Sequence, residues 1–235
     1  MAEIIVALDL PDSSAALSLV DRLGDSIDYY KVGSPLFTRS GPAIVHALAD
    51  RGKKVFLDLK YHDIPNTVAQ AVRAAADLGV AMLTLHAGGG MTMMRAARDA
   101  VGPDGPILLG VTLLTSFNAA EVEQVWGKEL RSLREEVARL AALAADAGLD
   151  GVVASALEVE SLKRRHGNEF VVVTPGIRPA GHLAGDQVRT GTPAEAVRAG
   201  SDYLVIGRPI LEAPDPVEVV ARVRDEVAQA REQRA

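Results

Sequence analysis

The chain has 235 residues, with 48% hydrophobic and 24% charged side chains, the usage of an ordinary globular domain large enough to need no staples. Its net charge of −6 argues against nucleic acid as the main partner, since phosphate backbones want clustered Lys and Arg. It contains no cysteine, which removes disulfides, thiolate nucleophiles and cysteine-based metal sites together. Met1-Ala2-Glu3 leads straight into an apolar run without a positive n-region, so no signal peptide is expected. No apolar stretch reaches the roughly 18 residues of a membrane span. The expectation is a soluble, cytoplasmic protein.

Short β-branched runs recur along the chain at Ile4–Leu8, Tyr29–Val32, Val55–Leu59, Met82–His86, Ile107–Thr112, Gly151–Ala154, Phe170–Thr174 and Tyr203–Ile206. Each is bounded by Gly, Pro or Asp, as in strands buried on both faces. Helical periodicity follows each run. It is clearest over Glu129–Ala147, where Leu130, Leu133, Val137, Leu140 and Ala144 share a face and Gly148 supplies a stop. Asp12-Ser13-Ser14 and Thr192-Pro193-Ala194-Glu195 read as helix starts. Eight consecutive β–α units predict a parallel sheet with right-handed crossovers, closed as a single-domain TIM (β/α)8 barrel over 1–235. An open doubly wound sheet is the alternative, but its Gly-rich dinucleotide fingerprint is missing.

Two segments break this rhythm. Ser116–Lys128 is an insert carrying Trp126, for which packing is the expected role, and Gly176–Gly191 is rich in Gly, Pro and Arg. The polar stretch after Ala228 is expected to fray.

Barrel active sites lie at the C-terminal ends of the strands. Those ends carry Asp9, Lys31, Asp58 with Lys60, His86, Thr115, Ser155, Pro175 with Arg178, and Gly207-Arg208. Charges in a barrel mouth are costly unless paired. Asp58 and Lys60 are two apart, so strand alternation sends both into the mouth, while Val55, Leu57 and Leu59 face the helices. Lys31, on the neighbouring strand, reaches the same spot. This array suits preorganised electrostatics or proton donation, with a structural salt-bridge cluster as the bland alternative.

A phosphate site is the second expectation, because barrels bind phosphate with the loops after strands seven and eight. Here those loops offer Gly176, Arg178, Gly207 and Arg208, glycine for close approach and arginine for a bidentate fork. The five histidines show no metal-ligand spacing, so no metal is expected. His46 and His166 fall in helical segments and are expected to be solvated; His62 reads as a hydrogen-bonded loop residue. Gly88-Gly89-Gly90 lets a helix start close to the mouth.

The run Asp58-Leu59-Lys60-Tyr61-His62-Asp63-Ile64-Pro65-Asn66-Thr67 resembles the signature of the orotidine 5′-phosphate decarboxylases. The resemblance extends in order through Val6-Ala7-Leu8-Asp9, Tyr30-Lys31-Val32-Gly33, Val111-Thr112 with Leu114-Thr115-Ser116, Thr174-Pro175-Gly176-Ile177-Arg178-Pro179 and Leu204-Val205-Ile206-Gly207-Arg208-Pro209. It implies a cofactor-free, metal-free decarboxylation of a pyrimidine nucleotide. Lys60 would donate the proton to carbon 6, Asp58 would hold Lys60 beside the departing carboxylate, and Lys31 would contact the ribose and complete the network.

The resemblance further implies that Asp9 binds ribose hydroxyls, Thr115 reads the pyrimidine edge, and Gln187, Gly207 and Arg208 grip the phosphate under a mobile loop that carries Arg178 and Gln187. Asp63 and Thr67 would reach into the partner's site across a homodimer interface. Tyr61 stands where phenylalanine is common, and Val188 where lysine is frequent. Two alternatives remain. Magnesium-dependent sugar-phosphate decarboxylases and synthases share the Asp-x-Lys-x-x-Asp pattern but carry a glutamate where this chain has Lys31. The other is a non-catalytic nucleotide-binding barrel.

Overall fold

The computed structural model describes residues 2–127, 129–179 and 189–233. Its strands are β1 (Glu3–Ala7), β2 (Tyr29–Gly33), β3 (Lys54–Tyr61), β4 (Met82–His86), β5 (Ile107–Val111), β6 (Gly151–Val153), β7 (Val171–Thr174) and β8 (Tyr203–Ile206). All neighbours pair in parallel, and β8 pairs back onto β1, so the sheet closes as a barrel in sequence order. The expected TIM barrel is therefore the observed one. None of the helices in the described residues is long and apolar enough to cross a membrane.

Alternation along each strand divides the core in two. Ile4, Val6, Tyr30, Val32, Val55 and Leu57 point outward and are buried with the helices. Ile5, Ala7, Phe56, Met82, Leu109, Val173 and Val205 point inward and fill the barrel. Large β-branched and aromatic residues suit both faces, because neither meets water. Toward the strand N-termini the barrel is closed by Tyr29 and Tyr203, whose rings meet edge-on at 5.4 Å, with the Lys54 ammonium 4.9 Å from the Tyr29 ring centre.

The helix starts expected at Asp12 and Thr192 are present. The Asp12 carboxylate accepts from the Ala15 amide, and Thr192 forms a reciprocal capping box with Glu195. The helix expected over Glu129–Ala147 begins later, at Leu133, because the Ser132 hydroxyl accepts from the Glu135 amide and caps it there. Leu130 matched the helical period by coincidence: it precedes the helix, and its amide donates to Glu123 Oε1 at 2.8 Å.

The Ser116–Lys128 insert contains a helix of its own, Ala119–Trp126, started by an Asn118–Glu121 capping box. Trp126 packs against the core as expected, with the Arg139 guanidinium 5.8 Å from its ring. The last helix, Pro216–Glu232, does not end near Ala228. Ala230 is buried and Arg231 donates to the Ala2 carbonyl at 2.7 Å, contacts that carry the helix past the polar composition of its end.

Candidate active site

The ends of β1, β2 and β3 meet because of their register: Ala7 sits beside Lys31, and Gly33 beside Asp58. Inward positions that are apolar lower in the barrel become charged one pleat higher. Lys31 Nζ lies 3.0 Å from Asp9 Oδ1 and 3.6 Å from Asp58 Oδ2. Gly33 leaves room for this pair, since a Cβ there would come within 3.1 Å of Lys31 Nζ. Lys60 Nζ lies 2.8 Å from both oxygens of Asp58. The structure thus joins the four expected side chains Asp9, Lys31, Asp58 and Lys60 into one array.

Alternation alone does not deliver Lys60. Its φ is +53°, the one positive value for a non-glycine among the described residues. The β3–β4 register also shifts between Leu57 and Tyr61. A left-handed lysine costs about 1–3 kcal/mol and persists only where its surroundings over-determine it. Here the surroundings are Asp58 and Thr84. The Lys60 amide donates to Thr84 Oγ1 at 2.9 Å, and the Thr84 hydroxyl in turn donates to Asp58 Oδ1 at 2.9 Å.

Sequence reasoning missed Thr84. A signal was available: it is a polar residue flanked by Leu83 and Leu85 within β4, and it shares the inward face with Met82.

Burial pushes the Asp58 carboxyl up, but the charges of Lys31 and Lys60 and hydrogen bonds from Lys60 and Thr84 outweigh it, holding the group below the usual carboxylate range. Asp58 is therefore an ionised carboxylate buried between two cations. His86, at the end of β4, is driven the other way: burial, then His62 and Lys60, lower its imidazole, against Asp58. Its ring lies 5.4 Å from that of His62. His62 itself is exposed.

The array opens into a cavity of about 570 Å³, a size typical of small-molecule sites. Ala7, Phe56, Val153, Val173 and Val205 form its apolar base. Thr115 lines one wall; Pro175, Gly176, Arg178, Gly207 and Arg208 line another. The expected phosphate residues are thus at the same cavity as the lysines, save Gln187, which lies outside the described residues. Glu212, not anticipated, also reaches the cavity.

Three expected positions fall elsewhere. Asp63 and Thr67 are exposed and are not among the residues lining this cavity; Asp63 Oδ1 accepts the Ile64 amide at 2.6 Å. Ser155 is buried beneath the mouth, where its hydroxyl donates to Glu158. Of the two helical histidines, His46 is exposed, whereas His166 is half-buried against Phe170, with ring centres 4.8 Å apart and its imidazole lowered first by burial. The glycine run behaves as expected: Gly90 (φ +85°) turns the chain into the helix Gly90–Val101 beside the mouth.

The Asp58 direction has a pH consequence. A carboxyl lowered in the folded state contributes stability fully present above its unfolded value, about 3.9, and lost as pH falls through its folded value. The stability advantage of the wild type over Asp58→Asn, measured by urea denaturation, is therefore expected to hold steady above about pH 5 and shrink below about pH 4. A pH-independent difference would mean that the two lysines do not hold Asp58 ionised.

Comparison with known proteins matches residues 2–223 to the orotidine 5′-phosphate decarboxylase / HUMPS family. The chain is 51% identical over 232 residues to an orotidine 5′-phosphate decarboxylase of Moorella thermoacetica, covering 96% of this chain and 92% of that protein. It is 52% identical over 230 residues to one of Actinobacillus succinogenes, covering 97% and 98%. Among solved structures, an orotidine 5′-phosphate decarboxylase from Lactobacillus acidophilus superposes with a TM-score of 0.85 at 38% identity, covering 97% of this chain and 99% of the other. An uncharacterized conserved protein from Geobacillus kaustophilus gives 0.82 at 40% identity, covering 95% and 99%. With the family match spanning nearly the whole barrel, the chain belongs to the orotidine 5′-phosphate decarboxylase / HUMPS family.

Proposed function

We propose that this chain converts orotidine 5′-monophosphate to uridine 5′-monophosphate in pyrimidine biosynthesis, without metal or cofactor, as a cytoplasmic homodimer with Lys60 as the proton donor. The observation that carries this reading is the Lys60 ammonium fixed 2.8 Å from Asp58 at the cavity mouth. The bond from carbon 6 to the carboxylate breaks, carbon dioxide leaves, and the electron pair stays on carbon 6. The proton on Lys60 Nζ then completes the new C–H bond, and solvent restores the lysine. A cation already in place stabilises the developing carbanion with no reorganisation and then quenches it. Asp58, beside the departing carboxylate, holds the donor.

The remaining residues bind. Asp9 and Lys31 take the ribose and Thr115 the pyrimidine edge. Arg178, Gln187, Gly207 and Arg208 take the phosphate, whose remote binding energy drives closure and catalysis. Asp63 and Thr67 serve the site of a second copy. Neither lines the cavity of its own chain, which supports this.

The position of Lys31 favours this reading over the magnesium-dependent one. Its ammonium lies between Asp9 and Asp58, and a cation there repels a metal ion. The left-handed backbone at Lys60 weighs against a mere binder, which has no use for that strain.

Absorbance of orotidine 5′-monophosphate is expected to change with wild type equally well with and without EDTA, and at least about 10³-fold more slowly with Lys60→Ala. No turnover by the wild type, loss with chelator, or an active Lys60→Ala would each contradict the mechanism. Mixing Lys60→Ala with Asp63→Ala subunits tests the shared site. Random exchange places one intact site in each hybrid, so activity is expected to recover to about a quarter of wild type. Mixtures no more active than their components would rule out sharing.

A further inference from the structure

The segment that follows β7 is pinned where it leaves the barrel and where it returns. The Arg178 amide donates to the Gly191 carbonyl at 2.9 Å, and the Gly191 amide to the Gly176 carbonyl at 3.3 Å. Two residues before Gly191, the Arg189 side chain turns inward and is 6% exposed. It reaches back past β6 to the β5 side: Nη1 donates to Glu158 Oε1 at 2.9 Å, and Nη2 to the carbonyls of Leu113 and Leu114, each at 3.0 Å. The Arg189 amide reaches the Thr115 carbonyl at 3.4 Å. Glu158, 3% exposed in the helix Ala156–His166, is tied in turn to Ser155 after β6.

An ion pair this deeply buried is a poor device for stability alone, because desolvation cancels most of the attraction and an apolar pair would serve as well. Its value lies in geometry. A planar guanidinium with one carboxylate and two carbonyls as partners has a single orientation. It joins two segments that line one cavity, Leu113, Leu114 and Thr115 after β5 and Arg178 after β7.

We propose that Arg189, held by Glu158, is a positioning residue that fixes the returning end of the 176–191 segment to the Thr115 wall. Phosphate capture on the Arg178 side thereby sets the wall that faces the pyrimidine. This inference rests on the reading of the cavity as an orotidine 5′-monophosphate site. Neither side chain touches substrate.

The test compares kcat/KM for orotidine 5′-monophosphate with that for orotidine, which lacks the phosphate, in wild type, Arg189→Met, Arg189→Lys and Glu158→Gln. Arg189→Met and Glu158→Gln are expected to lose about 10–100-fold on the nucleotide but less than about 3-fold on the nucleoside. The double variant is expected to be no worse than the worse single one, since both substitutions break the same link. Arg189→Lys keeps the buried charge but cannot span Glu158 and both carbonyls; an intermediate selective loss is expected, and this variant carries the test if Arg189→Met does not fold. Equal losses on both substrates, or an unaffected nucleotide reaction, would overturn the proposal. Wild type inactive on the nucleotide would instead overturn the reading of the site itself.

Discussion

The Asp58 carboxylate is nearly buried at the top of β3, and a buried charge in a protein interior must be paired or cost several kcal/mol. Three neighbours meet that demand, each from a different place: Lys31 on β2, Thr84 on β4 and Lys60 two residues further along β3. Asp9, after β1, balances the second lysine. The array therefore depends on the parallel register of four adjacent strands. A slip by one residue would turn Asp58 or Lys31 into the apolar layer between barrel and helices.

The same constraint accounts for the one non-glycine residue with positive φ among the described residues. Lys60 holds a left-handed backbone because Thr84 captures its amide while Asp58 captures its ammonium, two anchors at opposite ends of one residue. The strain is localised at the residue proposed as the proton donor, the kind of site where such conformations concentrate. Below the array, the apolar base around Phe56 and Val173 keeps the local dielectric low, which strengthens the field of fixed ammonium groups.

Much of this was legible in the sequence, and the exceptions have physical causes. The eight apolar runs fall on the eight strands within a residue or two because strands buried on both faces need continuous β-branched sequence. Asp9, Lys31, Asp58 and Lys60 were recognisable from their places at strand ends. The start of the helix at Leu133 was not, because a hydroxyl cap outranks a matching period. Thr84 and the Arg189–Glu158 pair lay out of reach for another reason. Their roles arise from partners 24 to 76 residues away, and no local pattern encodes such a meeting. Asp63 and Thr67 illustrate the converse: the family signature names them, yet one chain alone leaves them facing solvent.

Thr84 offers the sharpest test that the Asp58 cluster, rather than the mere presence of a lysine, sets the donor. The decisive measurement is kcat for orotidine 5′-monophosphate in Thr84→Val beside Thr84→Ser, with folding checked by circular dichroism. Serine keeps the hydroxyl that bridges the Lys60 amide and Asp58 and should stay within a few-fold of wild type. Valine keeps the shape without the bridge and should fall by about 10²-fold, the usual penalty for misplacing a reacting group by about 1 Å. A valine variant as fast as the serine one would contradict the account.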